Sequence, residues 1–296
     1  MSTMVTGIKA SALRLLNPLL ELLHPEDKFA VTETFRQTEL HIVSFPKCGR
    51  TWLKLMIAKV LSDHYGESLR EAFISLPAVT LSLQLGRAPE IRVTDFDHDC
   101  SGFIHGHHYR VFLKDRKTRY RAKRVLFLVR DPKDVIVSLY FQATRRMQAF
   151  EGSLSEFIRD DVMGIRKILA VYQSWLRNAD VPVQFQVIRY EDTRANPLRT
   201  LRTALAMMNA QGIDEAVMND AVAYCRFENM KMLEAANFLE NGILSPGDPR
   251  DPESFKVRRG QVGGYLQYLG EEDLAYIDQE MIRMKFFYWE ETQPHR

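Results

Sequence analysis

The chain has 296 residues, with 40 Lys+Arg against 38 Asp+Glu for a formal net charge of +2, and is 46% hydrophobic and 26% charged. These values exclude a disordered, collagenous or staple-dependent mini-protein, and the near-neutral balance excludes a surface that binds nucleic acid as a whole. Three cysteines, Cys48, Cys100 and Cys225, without CxxC spacing, argue against a disulfide framework or structural zinc and for a reducing, cytoplasmic setting.

Residues 1–30 are expected to form an amphipathic helical extension, since Leu13, Leu16, Leu19, Leu20 and Leu23 recur at helical spacing. Its polar face is poor in Lys and Arg, so packing on the domain is favoured over a weak membrane-surface contact through 8–23. The segment lacks the basic start, apolar core and cleavage site of a signal peptide. No apolar run reaches the roughly 18 residues of a membrane span.

Along the chain, apolar strand signals alternate with helical periodicity. LHIVSFP (40–46) reads as a buried strand, followed by a helix from Arg50 that Gly66 closes. GFIHGHH (102–108) is a weak strand signal and RVLFLVR (124–130) the strongest. Asp131-Pro132 opens a helix, 153–179 reads as one long helix, and VQFQVIRY (183–190) as a strand. Asn196-Pro197 opens a helix through Met208, 214–234 reads as another, and 270–288 as the last. This alternation predicts one α/β domain over 1–296, a central, mainly parallel sheet flanked by helices. Ligands of such sheets bind beyond the carboxyl ends of the strands. The polar stretch 237–264 is long for a plain connection and is expected to be functional, a mobile loop covering the ligand.

Two strand ends carry chemistry. Ser44-Phe45-Pro46-Lys47-Cys48-Gly49-Arg50-Thr51-Trp52 joins the first strand to the first helix, where free backbone N–H groups and the helix dipole favour an anion. Lys47 and Arg50 add charge and Thr51 a hydroxyl. The Walker spacing GxxxxGK[ST] is absent. The plain alternative is a basic turn with Trp52 in the core. Arg130-Asp131-Pro132-Lys133-Asp134-Val135-Ile136-Val137-Ser138 ends the strongest strand. There an arginine can fork onto a phosphate, or an Asp/Arg ion pair can cap the helix.

Together these segments resemble the sulfotransferase family. SFPKCGRTWL is similar to its 5′-phosphosulfate loop and RDPKDVIVSLYF to its 3′-phosphate segment. Tyr190-Glu191-Asp192 resembles its YED element and Arg258-Arg259-Gly260-Gln261-Val262-Gly263 its RKGxxG element. The resemblance, running from about 40 to 285, implies a P-loop-like fold and transfer of a sulfuryl group from 3′-phosphoadenosine 5′-phosphosulfate (PAPS), as co-substrate, to an acceptor hydroxyl or amine, without a metal. It implies that Lys47 neutralises the leaving phosphate and that Cys48, Gly49, Arg50 and Thr51 hold the 5′-phosphate, with Cys48 standing where the family has Ser. It further implies that Trp52 and Phe227 sandwich the adenine, with Tyr190 at its edge. Arg130, Ser138, Arg258, Arg259 and Gly260 would grip the 3′-phosphate. The resemblance would place Lys47 and Ser138 in the catalytic set with a general base, for which His105 at the strand end is favoured, with His107 and His108 as alternatives. The dimerisation motif of cytosolic members is not recognisable, so the oligomeric state is open.

Asp95-x-Asp97-His98-Asp99 with the three histidines admits a metal-cluster reading, but a solvated loop at the acceptor mouth is expected instead. Segment 66–100, with Phe73, Leu76, Leu81, Leu83 and Leu85, is expected to line an apolar or amphipathic acceptor pocket; carbohydrate, lipid and small alcohol acceptors all fit. Two readings compete with sulfuryl transfer: a nucleotide-dependent kinase, and a nucleotide-binding or membrane-peripheral protein without turnover.

Overall fold

The computed structural model describes residues 33–74, 91–98, 120–240 and 243–292. The N-terminal stripe, Leu76 to Leu85, and His105, His107 and His108 therefore lie outside the described residues.

A short helix α1 (Glu33–Gln37) leads into β1 (Leu40–Ser44), every residue of which is buried. This is the pattern of a strand covered on both faces. Helix α2 (Arg50–Tyr65) follows and ends where Gly66, at φ 72°, turns left-handed and returns its N–H to the Ser62 carbonyl. Helix α3 (Leu69–Ile74), β2 (Thr94–His98) and β3 (Arg124–Val129) come next. Helix α4 (Pro132–Phe141) starts as its sequence dictates: Pro132 stands in the first turn and the Asp131 carboxylate accepts from the Lys133 N–H. It runs on into a π-helical turn, Gln142–Arg146. Helices α5 (Leu154–Arg159) and α6 (Ile165–Leu176) lead to β4 (Gln184–Arg189). Then come α7 (Tyr190–Ala195), α8 (Pro197–Met207), α9 (Glu215–Tyr224) and α10 (Phe227–Ala235), and the chain closes with α11 (Glu271–Arg283) and α12 (Tyr288–Glu291).

The four described strands form one all-parallel sheet in the order β2-β1-β3-β4. The chain leaves β1 toward β2 on one side and crosses back to β3 on the other. The carboxyl ends of β1 and β3 thus flank the switch point at which parallel sheets open a crevice.

Four expectations need correction. The acidic run at 95–98 is not a loop: Thr94–His98 pairs with Leu40–Ser44 along its length. Backbone pairing with a fully buried neighbour overrides weak strand propensity, and an edge strand tolerates charges. The helix expected over 153–179 is two. The Asp160 carboxylate accepts from the N–H groups of Val162 and Met163, and Gly164 closes so near the Asp160 carbonyl that a Cβ there would meet it at 2.2 Å. The helix expected over 214–234 is also two. Arg226 is extended between them, the Trp52 indole N–H donates to the Cys225 carbonyl, and Asn229 donates to that of Tyr224. The last helix stops at Arg283, beyond which Gln173 takes up the Met284 carbonyl and Lys285 turns left-handed.

Candidate active site

The loop after β1 turns twice through left-handed backbone, at Lys47 (φ 75°) and Gly49 (φ 88°). A Cβ on Gly49 would meet the Tyr190 ring at 2.8 Å, so the loop lies directly on β4's successor residue. Lysine rarely adopts such a backbone, and strain of this kind concentrates at functional sites. Gly49 supplies no capping side chain to α2, which leaves the first-turn N–H groups to an external acceptor.

The loop after β3 is tied to the first. The Tyr172 hydroxyl, fully buried on α6, accepts from the Arg130 N–H (3.0 Å) and donates to the Arg130 carbonyl (2.9 Å), and it lies 3.1 Å from Cys48 Sγ. Burial pushes the Cys48 thiol up to about 12. Cys48 therefore faces backward into this knot. The Arg130 guanidinium donates to the Gln261 carbonyl at 2.7 Å, stacks 4.3 Å over Tyr190 and sits 3.4 Å from Asp134.

A third element folds over both. The Asp134 carboxylate, from the first turn of α4, accepts from the N–H groups of Gly263 and Tyr265 and so anchors the segment that carries Arg258, Arg259 and Gly260. Glu234, at the end of α10, accepts from the N–H groups of Lys256 and Val257. Arg258 donates to Glu253 and the Tyr268 hydroxyl and stacks 4.2 Å over Phe141. Gly260 is left-handed, and a Cβ there would meet the Phe227 ring at 2.7 Å.

These elements enclose a cleft of about 410 Å³. The sequence-derived residues Lys47, Gly49, Arg50, Thr51, Trp52, Arg130, Ser138, Tyr190, Phe227, Arg258, Arg259 and Gly260 all line it; the side chain of Cys48 does not. Asp134 and Glu234, missed as loop anchors, act on backbone far away in sequence. Lys256 and Arg146, missed as cleft cations, stand beside the quoted motifs, two residues before Arg258 and eight after Ser138.

The field in the cleft is strongly positive. Burial, then the charges of Lys256 and Arg146, hold the Lys47 ammonium well below the ordinary lysine range. Burial and the neighbouring Arg146 bring Lys256 down to about 7; burial and Arg50 bring Lys54 to about 8. The Nε atoms of Arg130 and Arg258 are buried without a hydrogen-bond partner. Packed cations and orphaned guanidinium donors fit a ligand with several anionic groups. Gly49 and Gly260 let their loop backbones pack directly against the Tyr190 and Phe227 rings.

A parallel α/β sheet with a cationic cleft at its switch point is the arrangement in which open sheets bind their ligands. The model of the sulfotransferase domain matches residues 37–285, and the chain belongs to that family. It is 27% identical over 277 residues to cytosolic sulfotransferase 16 of Arabidopsis thaliana, covering 88% of this chain and 79% of that one. It is 21% identical over 267 residues to flavonol 3-sulfotransferase of Flaveria bidentis, covering 86% and 84%. Its fold is similar to that of mouse sulfotransferase SULT7A1 complexed with PAP (TM-score 0.59, 17% identity, 92% and 91% covered). It is similar also to retinol dehydratase in complex with androsterone and inactive cofactor PAP (TM-score 0.57, 14% identity, 86% and 83% covered). The protein is accordingly an enzyme of sulfuryl transfer. No described helix is long and apolar enough to cross a membrane.

Proposed function

We propose that this enzyme transfers a sulfuryl group from PAPS to the hydroxyl, or amine, of a small-molecule acceptor in the cytoplasm. The observation that carries the reading is the convergence of twelve residues from five separate segments on one cationic cleft. When bound, PAPS supplies an activated sulfuryl group on a phosphate leaving group.

The chain's own residues divide the work. Arg130, Ser138 and Arg258, helped by the main chain of Arg259 and Gly260, grip the 3′-phosphate. The N–H groups that open α2, with Arg50 and Thr51, hold the 5′ end. Trp52 and Phe227 enclose the adenine between their rings, and Tyr190 borders it. Lys47, placed by its left-handed backbone and by a 3.1 Å bond to Gln142, neutralises the charge that grows on the leaving phosphate. Positioning and charge neutralisation of this kind supply most of the acceleration in group transfer between oxygens. His105, with His107 and His108 as alternatives, takes the acceptor proton.

Calorimetry with 3′-phosphoadenosine 5′-phosphate (PAP), AMP and ATP tests the reading. Tight PAP binding that collapses for AMP is expected, because AMP lacks the 3′-phosphate. PAP bound no tighter than AMP, or preference for ATP with magnesium, overturns the reading and favours a kinase.

A further inference from the structure

The cleft is lined by more cations than those assigned to the proposed donor. Arg130, Arg258 and Arg259 answer the 3′-phosphate; Lys47, Arg50 and a helix N-terminus answer the 5′ end. Of the other cleft cations, Arg194 stacks over the Trp52 ring; Arg146 and Lys256 remain. Both line the cleft, and both reach one atom: the Ile243 carbonyl accepts from the Arg146 guanidinium (3.2 Å) and from the Lys256 ammonium (3.0 Å). Two cationic heads are thereby gathered at one place. They adjoin Lys47, because Gln142, which accepts from Lys47, stands one turn before Arg146 on the π-helical segment. The nearby carboxylate, Glu234, is engaged by two backbone N–H groups. Lys54 extends the positive field toward β2, its ammonium 4.7 Å from the Phe73 ring centre and 5.6 Å from that of Phe96. Apolar surface lies alongside, with the exposed Met147 adjacent to Arg146 on the cleft wall.

We infer that Arg146 and Lys256 form an anion subsite next to the sulfuryl position, and that the acceptor is amphipathic and carries a phosphate, sulfate or carboxylate besides its nucleophile. Fixed cations facing a compact anion give charge-assisted hydrogen bonds, the strongest polar contacts a site offers. Burial first, and then the repulsion of neighbouring cations, lowers the lysines of the cleft, and an entering anion opposes the repulsion. The inference rests on the donor assignment above.

The test uses the full chain saturated with a PAPS analogue whose bridging oxygen is replaced by methylene. Such an analogue fills the sulfuryl position and cannot react. The probes are 1-naphthyl phosphate and 1-naphthol, titrated calorimetrically. The phosphate is expected to bind about tenfold tighter or better. That advantage should fall below about threefold in Lys256→Met and in Arg146→Met and persist in Lys256→Arg, with the affinity for the analogue kept within about threefold. Equal affinity for the two probes, or an advantage that survives both Met variants, overturns the subsite. So does a loss of analogue affinity in Lys256→Met as large as that in Arg130→Ala, which would assign Lys256 to the donor. Failure of the wild-type protein to prefer PAP over AMP removes the donor reading and this one with it, whereas normal PAP binding with any of the preceding outcomes removes the subsite alone.

Discussion

Lys47 and Arg130 show how two cations in one cleft can have separable roles. Arg130 is fixed on several sides, through its backbone to Tyr172, its guanidinium to the Gln261 carbonyl, and its plane to the Tyr190 ring. In the proposed 3′-phosphate role it would meet a charge that is the same before and after transfer, and so contribute uniform binding. Lys47 sits on strained backbone and is crowded by Lys256 and Arg146. In the proposed leaving-group role it would meet a charge that grows only as the bond to sulfur breaks. Arg130→Ala is therefore expected to weaken PAP binding by about tenfold to a hundredfold, the value of a hydrogen-bonded charge. Lys47→Ala is expected to lower kcat by a larger factor than it weakens PAP binding. Paired calorimetry and steady-state kinetics check both. Equal PAP affinity in Arg130→Ala and wild type would count against the 3′-phosphate assignment, and an unchanged kcat in Lys47→Ala against the leaving-group role.

At the scale of elements, two strand-end loops of the site are held in register by a helix that lines no part of the cleft. The single hydroxyl of Tyr172 joins α6 to both loops. Tyr172→Phe keeps the ring among Phe127 and Phe286 but leaves the Arg130 N–H and carbonyl without this partner. The expected cost is about 1–3 kcal/mol of unfolding free energy, read from urea denaturation, with a parallel loss of PAP affinity. Unaltered stability and affinity together would show that the loops hold their register without it. Such ties explain what the sequence made legible. The loop 47–52 and the segment 130–138 were readable because apolar runs, Gly49 and Pro132 mark where strands end and helices begin. The edge strand Thr94–His98 was not, because its pairing comes from β1 rather than from its own residues. Nor were the breaks at Asp160–Gly164 and Cys225–Arg226, which depend on side-chain and tertiary hydrogen bonds that interrupt good helical periodicity. Asp134 reads locally as half of an ion pair with Arg130. Its grip on Gly263 spans 129 residues, and no local pattern announces a contact at that distance.

At the scale of the whole molecule, His41 is a buried ionisable group that lines no part of the cleft. His41 lies on β1, fully buried between the rings of Phe35 (centroids 4.6 Å apart) and Tyr120 (5.1 Å), and neither ring nitrogen has a hydrogen-bond partner. Burial, reinforced by the charge of Lys123, lowers its pKa to about 3. The folded protein thus holds His41 neutral while the unfolded chain protonates it near its ordinary value of about 6.5. The unfolded state binds the extra proton, so stability is full above about pH 6.5 and is lost as the pH falls from there toward 3. At pH 5 the loss from this one residue is about 2 kcal/mol. Asp131 acts the opposite way: burial raises its carboxyl to about 6, so the folded state takes up a proton there first and gains stability as the pH falls. Wild type alone reports the sum of such terms. The contribution of His41 is isolated by His41→Phe, which keeps an aromatic ring in the same cluster and removes the titration. Urea midpoints measured at pH 7 and pH 5 are expected to fall further in wild type than in the variant, by an amount equivalent to about 2 kcal/mol. An identical fall in both would mean that His41 reaches a proton partner in the folded state and that its burial carries no pH dependence.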